Sequence, residues 1–474
     1  MMSLLENHPG SFLLLFLAVA GALAFEFVNG FHDAANAVAT VIYTRSLRSQ
    51  WAILFSGLLN FAGVMLAGVG VAYSIVNLFP LDSMMAVGTM ATHGLTLIFA
   101  VLAAAMVWNL ATWYVGIPAS SSHALIGSIL GASMGYCLQQ GIPLQDGVPW
   151  DKARQVMAAL LISPLVGFAC SALLLGLMQR WTKDKRLLQA PQGDQPPPFW
   201  IRAFLIATCG GVSFAHGSND GQKGMGLVML ILIGMAPATF SLNLSANQEV
   251  NLRAQAACIR IAQLLPQGRA KVPVEDELGA YIKGSAPPPS LRQSLLQSSQ
   301  VWGRPLQELD PAQRASFRRV TSLQVKCLRK LAGQQPDQAT ALREAALALE
   351  APIQYVADWV KICVALAMGL GTMIGWKRIV VTVGEKIGKC HLNYAQGVSA
   401  QLVAALTIGL ADTFRMPVST THVLSSGIAG AMYAQRSGLQ SRTLWQICLA
   451  WILTLPVCIT LALGLYLGLS GNGV

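Results

Sequence analysis

Long stretches of this chain carry no formal charge, and they decide what it can fold into. Residues 83–145 are 63 consecutive positions without Asp, Glu, Lys or Arg, and 51–80, 155–179, 224–248, 390–411 and 443–474 are equally bare. A helix needs about 20 apolar residues to cross a bilayer, so these runs hold repeated crossings. The expected fold class is an all-α polytopic membrane protein with about 10–12 transmembrane segments, some of them broken helices or re-entrant hairpins. Charged residues make up 11% of the chain, against roughly 25% in an ordinary soluble domain.

The net charge of +11 does not point to nucleic acid. The Lys and Arg stand at the ends of apolar runs and in one long loop, as loop-charge bias in helical membrane proteins requires. The nine Cys are scattered, with no CxxC and no Cys/His cluster, so neither a disulfide framework nor a metal site is indicated. The start carries Glu6 and no basic segment; residues 12–28 therefore read as a retained first span rather than a signal peptide. No P-loop, GxGxxG, HExxH or GxSxG string occurs. That argues against an enzyme, an ATPase or a bound cofactor.

Two short strings set an acid inside apolar sequence: Gly30-Phe-His-Asp-Ala-Ala-Asn36 and Gly217-Ser-Asn-Asp-Gly-Gln-Lys223. A carboxylate at membrane depth costs several kcal/mol unless it is paired or wetted, and Asp33 and Asp220 occupy matched settings. The segments around them, about 12–44 and 201–240, are too long for one straight crossing and read as helices broken at the motif. A second pair of strings is Pro118-Ala-Ser-Ser-Ser-His123 and Pro417-Val-Ser-Thr-Thr-His422. The acids lie 187 residues apart and the prolines 299 apart, a difference of 112. That difference matches a charged stretch at 241–355, read as an extramembrane helical insertion. The chain thus divides into a first membrane repeat (1–190), the start of a second (191–240), the insertion (241–355) and the rest of the second repeat (356–474).

Basic clusters after the first span (Arg45, Arg48), the fifth (Arg180, Lys183, Lys185, Arg186), the seventh (Lys377, Arg378, Lys386, Lys389) and the ninth (Arg436, Arg442) mark cytoplasmic loops. On five crossings per half the two repeats run in opposite directions, and the insertion falls in the periplasm. Inverted repeats place substrate and ion sites where interrupted helices meet near the midplane.

Proline suits the first turn of a helix and Ser or Thr its cap, so each hydroxyl string reads first as a capped helix start. Three hydroxyls in a row exceed what one cap uses. A helix N-terminus offers free N–H groups and a positive dipole end to an anion, and two of them would converge from opposed halves. The candidate ligands for an anion such as phosphate are Asp33, Asn36, Ser120, Ser121, Ser122, Asn219, Asp220, Lys223, Ser419, Thr420 and Thr421. Lys223 stands one helical turn after Asp220 and takes the place of Asn36 in the first copy; it would neutralise Asp220 or contact phosphate. Proton or cation coupling falls to Asp33, Asp220, Glu26, His123 and His422, where Glu26 and the two histidines read equally as satisfied interior groups. His32 and His216 have weaker claims, and Asn29 offers an amide oxygen.

With the strings Asn29-Gly-Phe-His-Asp-Ala-Ala-Asn-Ala-Val-Ala-Thr40 and Gly384-Glu-Lys-Ile-Gly-Lys389 added to those above, the chain resembles the inorganic phosphate transporter (PiT) family, and most of all its low-affinity members of bacterial inner membranes. The resemblance covers both membrane halves. It implies phosphate uptake by cation symport, an inverted-repeat core with re-entrant hairpins, phosphate contacts from the Asp/Asn and Ser/Thr strings, and a homodimer. Sodium-coupled members keep Gly-Ala-Asn-Asp-Val-Ala-Asn in both halves, and this chain departs at His32 and Lys223; a Lys opposes a sodium ion nearby. The bacterial members it resembles are proton-coupled and take phosphate as a neutral complex with a divalent metal ion. The expected function is proton-coupled phosphate symport; a sodium-coupled carrier, a sulfate permease and an anion channel are the alternatives.

Overall fold

The computed structural model describes residues 9–79, 93–148, 150–191, 193, 195–267, 273–284 and 287–471. Within these the chain is helical, and it divides into two compact units, 1–231 with 357–474, and 232–356. The first unit contains α1 (Pro9–Tyr43), α2 (Ser49–Leu66), α3 (Gly70–Val76), α4 (His93–Val115), α5 (Ser121–Gln140), α6 (Trp150–Trp181) and all but the last four residues of α7 (Phe199–Met235). The helices α8 (Gln248–Leu264), α9 (Val274–Lys283), α10 (Leu291–Trp302), α11 (Pro311–Gln334) and α12 (Ala339–Glu350) follow. Then come α13 (Asp358–Thr372), α14 (Lys377–Lys386), α15 (Tyr394–Thr413), α16 (Thr420–Ala434) and α17 (Ser441–Gly471); short helical turns are left unlabelled.

Among the described residues, seven helices are long and apolar enough to cross a membrane, and eight if the bent pair α13–α14 is one span. The number is below the expected ten to twelve for a physical reason. The hydroxyl-started helices α5 and α16, of 20 and 15 residues, are too polar or too short to qualify, and residues 80–92 lie outside the described residues.

The helices carrying the acids are not broken. α1 runs through Asn29-Gly30 and Asp33 without interruption for 35 residues, and α7 runs through Asp220 for 37. At 1.5 Å per residue α1 is about 52 Å long, against a hydrocarbon core of about 30 Å. Gly30 serves packing instead of a break: a Cβ there would run into the backbone of Met368 and Thr372 on α13. The real break is elsewhere. α13 and α14 meet at 54°, with Gly375 in the left-handed region at φ +75°. The basic segment from Lys377 to Lys386, expected to be a loop, is the helix that follows this bend.

The two hydroxyl strings fold alike. Gly116 and Arg415, 299 residues apart, both take positive φ (+76° and +57°) and turn the chain out of the preceding helix. Pro118 and Pro417 follow, and then Ser120 (φ −98°, ψ 112°) and Ser419 (φ −91°, ψ 106°) cap α5 and α16. Each capped helix packs against the last helix of the other half, α5 on α17 and α16 on α6. Glycines at matched positions permit the close approach: Gly131 faces the carbonyl of Ile459 and Gly430 that of Phe168.

The unit 232–356 has an apolar core of its own, built from Leu278, Tyr281, Leu295, Trp302, Leu328 and Leu342, all nearly inaccessible. Asp310 and Gln313 form a capping box at the start of α11, which satisfies free N–H groups of the first turn. Arg318 donates to the carbonyls of Ser241 and Ile353.

Candidate functional site

The site forms where α1 and α7 carry their acids past the capped ends of α5 and α16. Asp33 is 2% exposed and Asp220 fully buried. Carboxylates so deeply buried are tolerated only with hydrogen bonds or counter-charges, and both kinds are present. Asp33 accepts from Ser121 Oγ at 2.7 Å and Thr421 Oγ1 at 2.6 Å, so the hydroxyl strings of both halves hold one acid. His32 Nδ1 lies 3.2 Å away on the same carboxylate, and its Nε2 lies 3.1 Å from Thr112 Oγ1.

Asp220 is held differently. Lys223 Nζ donates to it at 2.5 Å, one turn along α7, and also to Ser122 Oγ at 2.5 Å and the Val418 carbonyl at 3.2 Å. Thr420 Oγ1 donates to Asp220 at 3.5 Å. His216 stands between the acids, with Nε2 3.3 Å from Asp220 and 3.9 Å from Asp33. One oxygen or nitrogen from each of Asp33, His216 and Asp220 lies within 4.8 Å of the others, a donor set able to hold a cation.

The structure therefore brings together Asp33, Ser121, Ser122, Asp220, Lys223, Thr420 and Thr421. Ser120 and Ser419 act as caps, each accepting from the N–H three residues on, His123 and His422, at 3.2 Å. Asn219 turns away, donating to the Met416 carbonyl at 3.3 Å. The side chain of Asn36 lies outside the described residues. Glu26 is buried without touching either acid's hydrogen bonds: Asn29 donates to its Oε2 at 3.4 Å, and Oε1 has no hydrogen-bond partner among the described residues. His123 and His422 stack on each other with ring centroids 4.6 Å apart, and His422 stacks on Trp451 at 4.0 Å.

Sequence reasoning undervalued His216, whose position between the acids depends on tertiary packing. Asn60 Oδ1 lies 2.8 Å from its Nδ1, and Thr372 Oγ1 accepts from Asn60 Nδ2 at 3.1 Å. Asp412 was missed. It accepts from Ser218 Oγ at 2.6 Å and from Gln222, both flanking Asp220 on α7. A lone acid ending a charge-free run five residues before Pro417 was the available signal.

The Phosphate transporter family model matches residues 29–462, which contain every residue of this site except Glu26. The chain is 41% identical to the low-affinity inorganic phosphate transporter PitA of Escherichia coli strain K12, over 98% of this chain and 97% of that one. It is 40% identical to PitB of the same organism, over 96% of each chain. The solved structure of a sodium-dependent phosphate transporter shares the fold at a TM-score of 0.53 and 18% identity, covering 96% of this chain and 98% of its own. The protein is a multi-pass membrane protein from a family of transporters, not of enzymes, and the chain belongs to the phosphate transporter family.

Proposed function

We propose that the chain imports inorganic phosphate by proton-coupled symport, the anion arriving with a divalent metal ion, through one site that the two halves expose alternately. The substrate is that of its low-affinity relatives. The observation that carries this reading is the shared use of hydroxyl donors: Ser121 and Thr421, from opposite halves, both donate to Asp33. Beside them, the N-termini of α5 and α16 supply backbone N–H groups and positive dipole ends that suit a phosphate oxygen.

Coupling follows from competition for those donors. An ionised Asp33 or Asp220 accepts hydrogen bonds and repels a phosphate anion. A protonated acid releases Ser121, Thr420 and Thr421 to the anion and offers it an O–H of its own. Glu26, Asp33 and Asp220 are the proton carriers in this reading, with His123 and His422 stacked behind the capped helix ends. Asp33, His216 and Asp220 would receive the metal ion as cargo, its repulsion from the ammonium of Lys223 offset by the phosphate that arrives with it. The protein would work in the bacterial inner membrane as a homodimer.

Uptake of labelled phosphate into proteoliposomes under imposed gradients tests the proposal. Uptake should follow a pH gradient, fall when divalent ions are chelated, and proceed without sodium. A strict sodium requirement would make the chain a sodium symporter. Full competition by sulfate would make it a sulfate permease, and flux indifferent to either gradient would make it a channel.

A further inference from the structure

The bend between α13 and α14 lines an open recess that the buried site does not use. Its cavity volume is about 610 Å³, and its lining includes Trp113, Trp376, Lys377, Arg378, Thr382 and Lys386. Its walls are tied. Trp113 Nε1 donates to the Gly375 carbonyl at 2.7 Å, and Thr382 Oγ1 donates to the Gly116 carbonyl at 2.7 Å. Both carbonyls belong to glycines in the left-handed region.

Arg378 is held in place. Its guanidinium carbon lies 5.0 Å from the ring centre of Trp113 and 4.9 Å from that of Tyr114, and Nη1 donates to the Tyr114 carbonyl at 2.6 Å. Lys377 and Lys386 bring two ammonium groups to the same cavity. Among the described residues, no carboxylate lies within ion-pair distance of any of the three. The nearby acid Glu385 accepts from Tyr43 Oη at 2.7 Å. Three cations lining one fixed recess repel one another, and an anion bound among them would relieve that repulsion. The rim is apolar: Tyr114 and Val115 are each 68% exposed, and Trp113 and Trp376 stand beside them. Aromatic and basic groups combined this way suit the membrane interface.

We propose that this recess binds a phosphate-bearing anion at the membrane surface, separate from the transport site. The ligand's phosphoryl oxygens would take the Arg378 fork together with the ammonium groups of Lys377 and Lys386. That chemistry is common to the headgroup of an anionic lipid and to inorganic phosphate, and the apolar rim fits the acyl chains of the former.

Native mass spectrometry of the purified full chain, equilibrated with equal amounts of phosphatidylglycerol and phosphatidylcholine, tests it. The wild type should retain the anionic lipid at least tenfold over the neutral one. Lys377→Gln with Lys386→Gln should erase that preference, and both side chains are exposed, so the fold should survive; an unchanged melting temperature checks this. Arg378→Gln should erase it independently. Inorganic phosphate added in excess, with sulfate at equal ionic strength as control, separates the sources. Retention that resists phosphate identifies the lipid, and displacement by phosphate but not by sulfate identifies the free anion. Equal retention of both lipids with no phosphate effect, or a preference that survives the double lysine variant, would overturn the proposal.

Discussion

The two copies of the acid string are built on the same helix geometry and solve the same problem in different ways. In the first, Asp33 is held by two hydroxyls, one from each half, with the His32 and His216 imidazoles beside it. In the second, Asp220 is held by a cation one turn away on its own helix. The duplicated backbone fixes where a carboxylate sits, and the side chain three residues on decides whether its charge is balanced. An acid held by hydroxyl donors can exchange them for a substrate. An acid tied to an ammonium keeps its counter-charge, and lends the site a fixed positive group.

Replacing each acid by its amide should separate these arrangements most widely. Asp33→Asn and Asp220→Asn should each lower phosphate uptake at least about a hundredfold, roughly 2.7 kcal/mol at the rate-limiting barrier, with the protein still in the membrane. Only Asp220→Asn should also lower the melting temperature, because it strands the ammonium of Lys223. Removing one partner of a buried ion pair costs about 3–5 kcal/mol. Normal uptake by Asp220→Asn would refute its place in the site, and equal melting of the two variants would erase the distinction.

Lys223→Asn makes the second copy resemble the first at the aligned position. Uptake should fall about tenfold or more, a change of about 1.4 kcal/mol, and stability should fall with it. Adding Asp220→Asn to Lys223→Asn should recover most of the melting temperature and none of the uptake. If the double variant melts as low as Lys223→Asn alone, the pair is not coupled and the contrast fails.

Much of this contrast could be read before the fold was known. The strings around Asp33 and Asp220, and those after Pro118 and Pro417, exposed the duplication because a charge or a Pro-hydroxyl run is conspicuous in apolar sequence. Their local chemistry is also sequence-local, so the caps at Ser120 and Ser419 were legible. The continuity of α1 and α7 was not. Asn-Gly looks like a break when only propensity is considered, whereas Gly30 answers to the backbone of α13, more than 300 residues away. The Gly375 bend hid in a segment whose charges suggested a loop. His216 and Asp412 were underrated for the same reason: their partners Asn60, Ser218 and Gln222 lie on or across from α7, and no spacing announces them.

The hydroxyl pair on Asp33 allows a narrower comparison. Ser121→Ala and Thr421→Ala each remove one hydrogen bond from the same carboxylate, at 2.7 and 2.6 Å. A hydrogen bond to a charged group contributes about 1.5–3 kcal/mol, but the remaining donor and His32 limit the loss. Each variant should therefore lower uptake by about threefold to tenfold, and the two should match closely. A large difference would mean that one half supplies the anion's ligands and the other only scaffolding.

The smallest effects should come from the caps, and they ask whether the duplicated scaffold is equivalent where no substrate contact is claimed. Ser120 and Ser419 have φ and ψ within about 7° of each other and accept from the third N–H at the same 3.2 Å. Removing a Ser cap costs about 1 kcal/mol, so Ser120→Ala and Ser419→Ala should lower the unfolding free energy by similar amounts and uptake by less than threefold. Both N-termini bury their first turns, so each variant leaves the N–H of His123 or His422 a buried donor stripped of its cap. A cap variant whose uptake falls far more than its stability would show that its hydroxyl also meets the anion. A cap that served the substrate in one half alone would break the equivalence on which the shared pocket rests.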